Sequence, residues 1–262
     1  MVVFLAKLTW NRWSCNRLSL GHMGKPMSSI APLRNQLLLS LPPAELETLR
    51  PQLELAEMVR ETVVIEAGAP QTRVYLPHSG VISMTVSLAD GHSVEVAIIG
   101  RESLFGAAAA LGSEISLSDA VVLLPGTASI LNVAHLRAAA DRNTALRTTL
   151  IRHEQALLVQ AQQSAACNAA HSVEARLSRW LLRLRDLYDG ETLPLTQEFL
   201  ARMIGVQRNA VSIVAHALQE AGTIRYSRGH IHITDVEALR ETSCECYQMV
   251  KSQCDRLLKR SD

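Results

Sequence analysis

Residues 195–218 constrain the fold of this chain more than any other part of its sequence. Apolar residues recur there at helical spacing on both sides of Gly205, and glycine permits a tight turn between two helices. Thr196 is a good N-cap for a first helix over Gln197–Met203, and a second helix is predicted over residues 206–221. Two short helices joined by such a turn predict a helix-turn-helix.

The outer face of the second helix is polar and poor in acids. Its side chains are those of Gln207, Arg208, Asn209, Ser212, Ile213 and His216. Arginine can bind guanine through two hydrogen bonds, and asparagine can bind adenine in the same way. A helical hairpin buried in a core would explain the apolar residues of this segment but not this polar face. The face therefore predicts binding of double-stranded DNA, with the N-terminal end of the helix in the major groove.

A two-stranded hairpin is predicted directly after these helices, over residues 223–233 with its tip at Arg228. Arg225, Arg228 and His230 on this hairpin are expected near the phosphate backbone of the DNA. Thr196 at the start of the first helix and Arg228 complete the predicted DNA contacts. The helices and the hairpin together predict a winged helix-turn-helix, and the function they indicate is transcription regulation.

The composition limits the other classes of function. A net charge of +1 means that any nucleic-acid surface is local, and 4% aromatic residues argue against a single-strand binder. The sequence has no apolar stretch near the ~20 residues that span a membrane, and its five widely spaced cysteines suit a reducing cytoplasm. No nucleophile elbow, P-loop, metal-binding histidine pair or pair of catalytic carboxylates stands out, so an enzyme is not expected.

Residues 53–130 predict a β-sandwich or a barrel-like roll, because short runs rich in β-branched residues alternate there with turn signals. Asp90 and Gly91 between two such runs predict a hairpin. Pro42 and Pro43 predict the start of a short helix ahead of this region. The expected strands are residues 62–65, 74–76, 81–86, 94–98 and 120–124.

Residues 136–170 contain neither proline nor glycine and predict a long helix with one break near Asp141. One stripe of this helix has alternating spacings of four and three. Its residues are Leu146, Leu150, His153, Leu157, Gln160 and Ser164. Such a seam can pair with a second copy of the chain, or it can pack on the strand region. We expect a homodimer through this helix.

The β-roll, the long helix and the winged helix-turn-helix together resemble the Crp/Fnr family of bacterial transcription regulators over roughly residues 35–246. The resemblance implies a cyclic-nucleotide-binding-like roll, dimerisation through the long helix and allosteric DNA binding near RNA polymerase. The family's base-reading positions fall on Arg208, Asn209 and Ile213. Arg208 keeps the commonest family residue, whereas Asn209 replaces a usual acid and Ile213 replaces a common arginine. We therefore expect an unusual DNA half-site.

The predicted fold class is α+β, with an N-terminal antiparallel β-roll, a long connecting dimerisation helix and a C-terminal winged helix-turn-helix. The first residues read as a poorly ordered extension, in which Met23 or Met27 is an alternative start. The predicted divisions are an extension over 1–34, a roll over 35–135, the long helix over 136–170, the DNA-binding domain over 171–246 and a tail helix over 247–262.

The roll has lost residues by which the family's cyclic-nucleotide-binding members hold their ligand, namely a glutamate and an arginine that follow a glycine-rich turn. Ala107 stands in place of the glutamate, and the arginine position falls near Ser118, which Asp119 follows. A buried phosphate without its cation is costly, so cyclic AMP and cyclic GMP are not expected to bind. The residues at the degenerate pocket are Gly100, Arg101, Glu102, Phe105, Gly106 and Ser118. Two interpretations of the roll remain. It binds another effector, or it is a ligand-free module with a structural or protein-interaction role.

Cofactors of the family are not expected either. Its iron–sulfur members use an N-terminal cysteine cluster, and only Cys15 lies there. Haem-sensing members need axial ligands in the roll, where His78 and His92 occur at turns and are predicted to be polar surface residues.

Cysteines after the hairpin leave two interpretations. Cys244 and Cys246, together with Cys254, suggest either a metal or redox switch or a packed helix with incidental thiols. The one-residue spacing and the lack of a matching second pair favour incidental thiols and no metal. Cys167, late in the long helix, is predicted to be a small core residue.

Overall fold

The computed structural model describes residues 33–89 and 92–258. Most of the predicted extension, with Cys15 and the alternative starts, lies outside the described residues, as does the Asp90–Gly91 turn. None of the described helices combines the length and apolar character that a membrane span requires.

The chain enters the fold through two short helices that are anchored on the roll. Helix α1 spans Gln36–Ser40, α2 spans Pro43–Leu49, and a single 3-10 turn follows at Arg50–Gln52. The predicted helix start at Pro43 is confirmed. Buried Asn35 caps α1 through Oδ1, while its Nδ2 donates to the carbonyls of Pro77 (3.0 Å) and Ser103 (2.8 Å). This one side chain fixes the entry of the chain against the roll.

The roll consists of two antiparallel sheets, with strand orders β1-β7-β3 and β2-β6-β4-β5. Its strands are β1 (Glu54–Met58), β2 (Val63–Ile65), β3 (Arg73–Pro77), β4 (Val81–Ser87), β5 (Ser93–Ile99), β6 (Asp119–Leu124) and β7 (Gly126–Asn132). The five predicted strands are confirmed within two residues. Strands β1 and β7 were not predicted as separate strands. For β1, the residues Glu54–Met58 suit a helix as well as they suit a strand. Pairing of Ser87 with Ser93 confirms the predicted hairpin.

A short helix, α3 (Ala107–Ala110), leaves the roll before β6, and two helices follow β7. These are α4 (Val133–Arg142) and the long α5 (Thr144–Ala170). The predicted break is confirmed at Asn143, two residues later than expected. Asn143 Oδ1 accepts a hydrogen bond from the Leu146 amide (3.0 Å) and so caps the new helix.

The apolar seam of α5 lies against the chain itself, so the prediction that it pairs with a second copy is wrong. All its residues are buried. Gln160 Oε1 accepts from the Ile98 amide of β5 (3.2 Å), and His153 Nδ1 lies 2.8 Å from Ser103 Oγ. Leu157 belongs to the core of the roll. His153 and Gln160, two polar residues of the stripe, therefore satisfy buried groups of the roll, as expected if the stripe packs on the strand region.

The predicted pair of helices, hairpin and tail helix follow in that order among the C-terminal elements. These elements are α6 (Val173–Leu187), β8 (Thr192–Leu193), α7 (Gln197–Met203), α8 (Arg208–Glu220), β9 (Ile224–Ser227), β10 (His230–Ile233), α9 (Val236–Thr242) and α10 (Cys246–Leu258). Helix α8 begins two residues later than expected. Strand β8 adds a third strand to the hairpin by pairing with β10, which sequence pattern missed because two residues carry no periodicity.

The roll and the C-terminal domain share one hydrophobic core. Val81, Ile98 and Leu124 of the roll pack in the same buried cluster as Trp180 and Leu184 of α6. Since this contact surface contains core side chains from both sides, the C-terminal domain is docked on the four-stranded sheet.

Candidate nucleic-acid interface and effector region

The turn between α7 and α8 is tight and requires glycine. Gly205 has a φ of +63°, and a side chain there would approach Val94 of the roll to 3.1 Å. Thr196 caps α7, with Oγ1 accepting from the Phe199 amide (3.2 Å). The Val206 amide donates to the Ala201 carbonyl (2.9 Å) and closes the turn. The helix-turn-helix expected over residues 195–218 is confirmed.

Helix α8 separates an inner face from an outer face. Val211, Ala215 and Leu218 are buried. Gln207, Arg208, Asn209, Ile213 and His216 are exposed, as the sequence predicts. Ile213 is 71% exposed, although isoleucine is among the residue types that are most often fully buried. Arg208 and Asn209 occupy the first turn, so their side chains lie at the end of the helix that a major groove would receive.

Two of the predicted contact residues also have internal partners. Ser212 Oγ donates to Gln197 Oε1 (2.6 Å) and thereby links α8 to α7. His216 Nε2 lies 3.3 Å from Glu220 Oε1 on the exposed surface. Ser212 is half-buried, so its hydroxyl serves the geometry of the motif as well as any contact with DNA.

The wing lies beside the start of α7. Arg228 and Gly229 form its tip with φ values of +48° and +78°, the left-handed pair that a two-residue hairpin favours. A side chain at Gly229 would lie 3.4 Å from Thr196 Cγ2. Tyr226 joins the wing to both helices, because its hydroxyl accepts from the Gln197 amide and its amide donates to Gln219 Oε1 (2.8 Å).

Three of the predicted pocket residues of the roll, Gly100, Arg101 and Glu102, face the C-terminal domain. Arg101 is bonded to Asp189, and Glu102 pairs with Arg183 at 3.1 Å. A side chain at Gly100 would lie 3.1 Å from Leu187. These residues therefore hold α6 and the loop after it against the roll.

The other predicted pocket residues serve the roll itself. The Phe105 amide donates to the Tyr75 carbonyl (2.9 Å), and Gly106 adopts a φ of +98° where a side chain would lie 3.0 Å from the Arg73 carbonyl oxygen. The Ser118 carbonyl accepts from Ser116 Oγ (2.7 Å).

Two carboxylates lie next to Ala107 and Ser118, the two positions that were compared with the family's ligand-binding residues. Glu154 of α5 accepts from the Ala108 amide (2.9 Å), and burial raises the pKa of that carboxyl. Asp119 accepts from the Ala67 amide (2.8 Å) and from Ser87 Oγ (2.7 Å). Both acids have structural partners of their own.

His78 is buried, so the prediction that it is a surface residue is wrong. Its Nδ1 accepts from the amides of Arg34 and Asn35 (both 3.2 Å), and its Nε2 lies 2.7 Å from Ser129 Oγ. These bonds replace water, and burial lowers the pKa of the ring. His92 is exposed, as predicted.

Cys254 is separate from the other late cysteines, so the predicted grouping is wrong. Cys254 packs with Ala156 and Val250, whereas Cys244 and Cys246 pack with Cys167. A sequence separation of 77 residues hid the contact between Cys167 and Cys244.

Comparison with known proteins gives matches in both halves of the chain. The Crp-like helix-turn-helix domain matches residues 175–242, and the cyclic nucleotide-binding domain matches residues 56–143. A curated relative, the CRP-like cAMP-activated global transcriptional regulator of Mycobacterium tuberculosis, is 26% identical over 214 residues, which cover 75% of this chain and 91% of the relative.

Solved structures with the same fold include FixK2 from Bradyrhizobium japonicum, with a TM-score of 0.63 and 15% identity over 73% of this chain and 98% of that one. A Crp/Fnr-family regulator from Eubacterium rectale has a TM-score of 0.62 and 15% identity, covering 79% of this chain and 96% of that one. Both structures match the fold of this chain along nearly their whole length.

Proposed function

Since the chain belongs to the Crp/Fnr family of transcription regulators and carries its helix-turn-helix DNA-binding domain, we propose that it binds a specific double-stranded DNA site as a homodimer without cyclic-nucleotide control. The observation that supports this most is the outer face of α8. Its N-terminal side chains are exposed, whereas every apolar residue of its inner face has a partner in the core.

The proposed base contacts come from three residues. Arg208 is suited to guanine and Asn209 to adenine, while the exposed Ile213 offers an apolar contact to a thymine methyl group. Thr196, Gln207, Ser212 and His216 flank them, and Arg225 and Arg228 of the wing are proposed to bind phosphates.

Selection of binding sites from a random duplex pool, followed by genome-wide footprinting, tests this proposal. We expect two related half-sites about one helical turn apart, the spacing that a two-fold dimer requires. Recovery of no preferred duplex, or binding only to single strands, would contradict it. The position of the bound site relative to a promoter decides between activation and repression. Contact with RNA polymerase is tested on DNA fragments that contain the site and its promoter.

The proposed dimer uses the face of α5 opposite the buried seam. Ile151 and Leu158 are 42% and 57% exposed there, seven residues apart. Ala165 continues that repeat of seven, and Gln155 and Gln162 occupy the intermediate positions, all exposed. A repeat of seven is the spacing by which two helices pair. A second copy of this chain is therefore the proposed occupant.

Sedimentation of purified protein tests the dimer. Leu158→Lys places a charge in the proposed interface and should give a monomer. Leu117→Lys is the matched control, because Leu117 is 84% exposed on the roll and its variant should remain dimeric. A dimeric Leu158→Lys protein would exclude this face.

The absence of cyclic-nucleotide control is supported by what replaces the ligand-binding residues. Ala107 has no polar side chain to bind a ribose, and the carboxylate of Glu154 already accepts a hydrogen bond from the first turn of α3, where an anion would bind. Asp119 adds a second acid directly after Ser118, near which the arginine position falls. Calorimetry with cyclic AMP and cyclic GMP should show no binding, and a tight complex would overturn this part.

A ligand-free role for the roll is the second candidate. It is favoured by the bonds from Arg101 and Glu102 to the C-terminal domain, which make the roll a structural support. A thermal-shift screen with metabolites separates the two roles, since a stabilising compound favours an effector and uniform silence favours the support.

A further inference from the structure

Three cysteines and one histidine meet where the long helix ends. Cys167 lies in the last turn of α5, and His171 is the C-cap residue of that helix. Cys244 lies between α9 and α10, and Cys246 is the first residue of α10. The three Sγ atoms and one ring nitrogen all lie within 4.8 Å of one another. The four side chains therefore converge on one point from two distant parts of the chain.

The distances match the edges of a small tetrahedron. Cys167 Sγ lies 3.5 Å from Cys244 Sγ, and Cys246 Sγ lies 3.5 Å from His171 Nδ1. Ligands at zinc–sulfur and zinc–nitrogen bond lengths are separated by about 3.6–3.8 Å in a tetrahedral site. A disulfide would require the two sulfurs about 2.0 Å apart, so the described pair is not one.

The surroundings of the cluster resemble the outer shell of a metal site. His171 Nε2 lies 3.3 Å from Glu245 Oε1, which leaves Nδ1 directed at Cys246. Gln163 Nε2 donates a hydrogen bond to Cys246 Sγ (3.0 Å). A carboxylate behind a ligating imidazole fixes its tautomer, and a donor to a thiolate stabilises its charge.

We propose that Cys167, His171, Cys244 and Cys246 bind one zinc ion in a closed tetrahedral site. Three thiolates and one imidazole are a donor set of structural zinc sites, and thiolates disfavour magnesium and calcium. Cys167 and Cys246 are fully buried, and four protein ligands leave no position for a substrate. This inference replaces the expectation from sequence that these thiols are incidental and bind no metal.

The position of the site gives the ion a structural role. Its first two ligands lie at the junction of α5 and α6, and the other two follow the wing and α9. Bound zinc would tie the end of the DNA-binding domain to the long helix, across the point where the chain passes from one to the other. Such a clamp restricts the movement of the winged helix-turn-helix relative to α5.

The metal content of the full chain tests the proposal without any variant. Protein purified under reducing conditions should carry one zinc per chain by native and elemental mass spectrometry. After replacement of zinc by cobalt, the spectrum should show a thiolate-to-cobalt charge-transfer band and the d–d bands of tetrahedral coordination. Folded protein that takes up neither ion, or that settles as a Cys167–Cys244 disulfide, would overturn the site.

Variants then test the ligands individually. Cys244→Ser should weaken zinc binding about 100-fold or more, beyond the loss typical of an outer-shell change. Cys254→Ser is the matched control, because Cys254 is a buried cysteine of α10 outside the cluster, and its variant should keep one zinc. His171→Cys keeps four ligands and should also retain zinc. Equal losses from Cys244→Ser and Cys254→Ser would contradict the assignment.

Discussion

The outer face of α8 and the ligand-binding region of the roll differ in what their side chains do within the molecule. Arg208, Asn209 and Ile213 are exposed and lie outside the core that α8 helps to form. By contrast, Arg101 and Glu102 of the roll are bonded to the C-terminal domain. Exposed side chains that do not hold other parts of the fold in place are available to a binding partner. The comparison teaches that the outer face of α8 is available to a partner, whereas Arg101 and Glu102 of the roll hold the C-terminal domain in place.

The largest expected effect on stability comes from removing the contact between α6 and the roll. Trp180 of α6 is 2% exposed, and its Nε1 donates to Glu95 Oε1 of β5 (2.5 Å). Trp180→Ala leaves a cavity and should lower the free energy of unfolding by about 3–5 kcal/mol. Denaturant unfolding with limited proteolysis measures the loss.

Trp180→Phe is the intermediate variant, because a smaller aromatic ring remains while the N–H donor and part of the indole volume are lost, so its loss of stability should be smaller than that of Trp180→Ala. A Trp180→Ala protein as stable as wild type would mean that the roll does not support α6 in this way.

Glu95 makes the same contact dependent on pH. Burial raises the pKa of its carboxyl from 4.5 to about 7, although Ser83 and Trp180 donate hydrogen bonds to it and the charge of Arg179 opposes the rise. The folded chain thus retains a proton that the unfolded chain loses, so the free energy of unfolding falls as the pH rises from about 4.5 to about 7.

Glu95→Gln should remove this dependence, which amounts to at most about 3 kcal/mol. Thermal melting from pH 5 to pH 8 measures it, with the variant similar to wild type at the low end and more stable at the high end. Parallel pH profiles for the two proteins would show that Glu95 is ionised throughout.

Recognition by α8 is expected to depend on Arg208. Arg208→Ala should weaken binding to the selected site about 10–100-fold and relax the preference for one base pair, because a bidentate contact to guanine is lost. Gel-shift titrations on matched and mismatched duplexes measure both.

Arg142→Ala, an exposed arginine at the end of α4, is the control and should bind like wild type. Arg101→Ala sharpens the comparison further, since it should alter stability but not the preferred sequence. If the Arg208→Ala protein kept the base-pair preference of wild type, other residues of the domain would have to read that base pair.

The smallest effect is expected at the wing. Arg228→Asn keeps a residue that tolerates the left-handed backbone there and removes a charge near phosphate. Binding should weaken similarly for all sequences, and the slope of log affinity against log salt should fall by about one. Titrations at several salt concentrations measure the slope. A sequence-dependent loss would instead indicate that Arg228 contacts a base.

Local patterns predicted the elements that depend on neighbouring residues. The helix-turn-helix followed from Gly205 and the helical spacing around it, and the roll strands followed from short β-branched runs between turns. The long helix shows the limit, because its stripe from Leu146 to Ser164 indicated burial without indicating the partner. The neighbour that covers it, β5, is some 60 residues away along the chain, as Gln160 and Ile98 are.

The sequence by itself determined the winged helix-turn-helix, the exposed outer face of its second helix and the short strands of the roll, since each depends on residue types within one short segment. Only the tertiary structure decided which face of α5 stays exposed, how the roll supports α6, and that Cys167 and His171 meet Cys244 and Cys246. Periodicity reports that a face is apolar, and spacing reports which residues share a helical turn. Neither reports which distant surface comes to cover them, because that is decided by the packing of the whole chain.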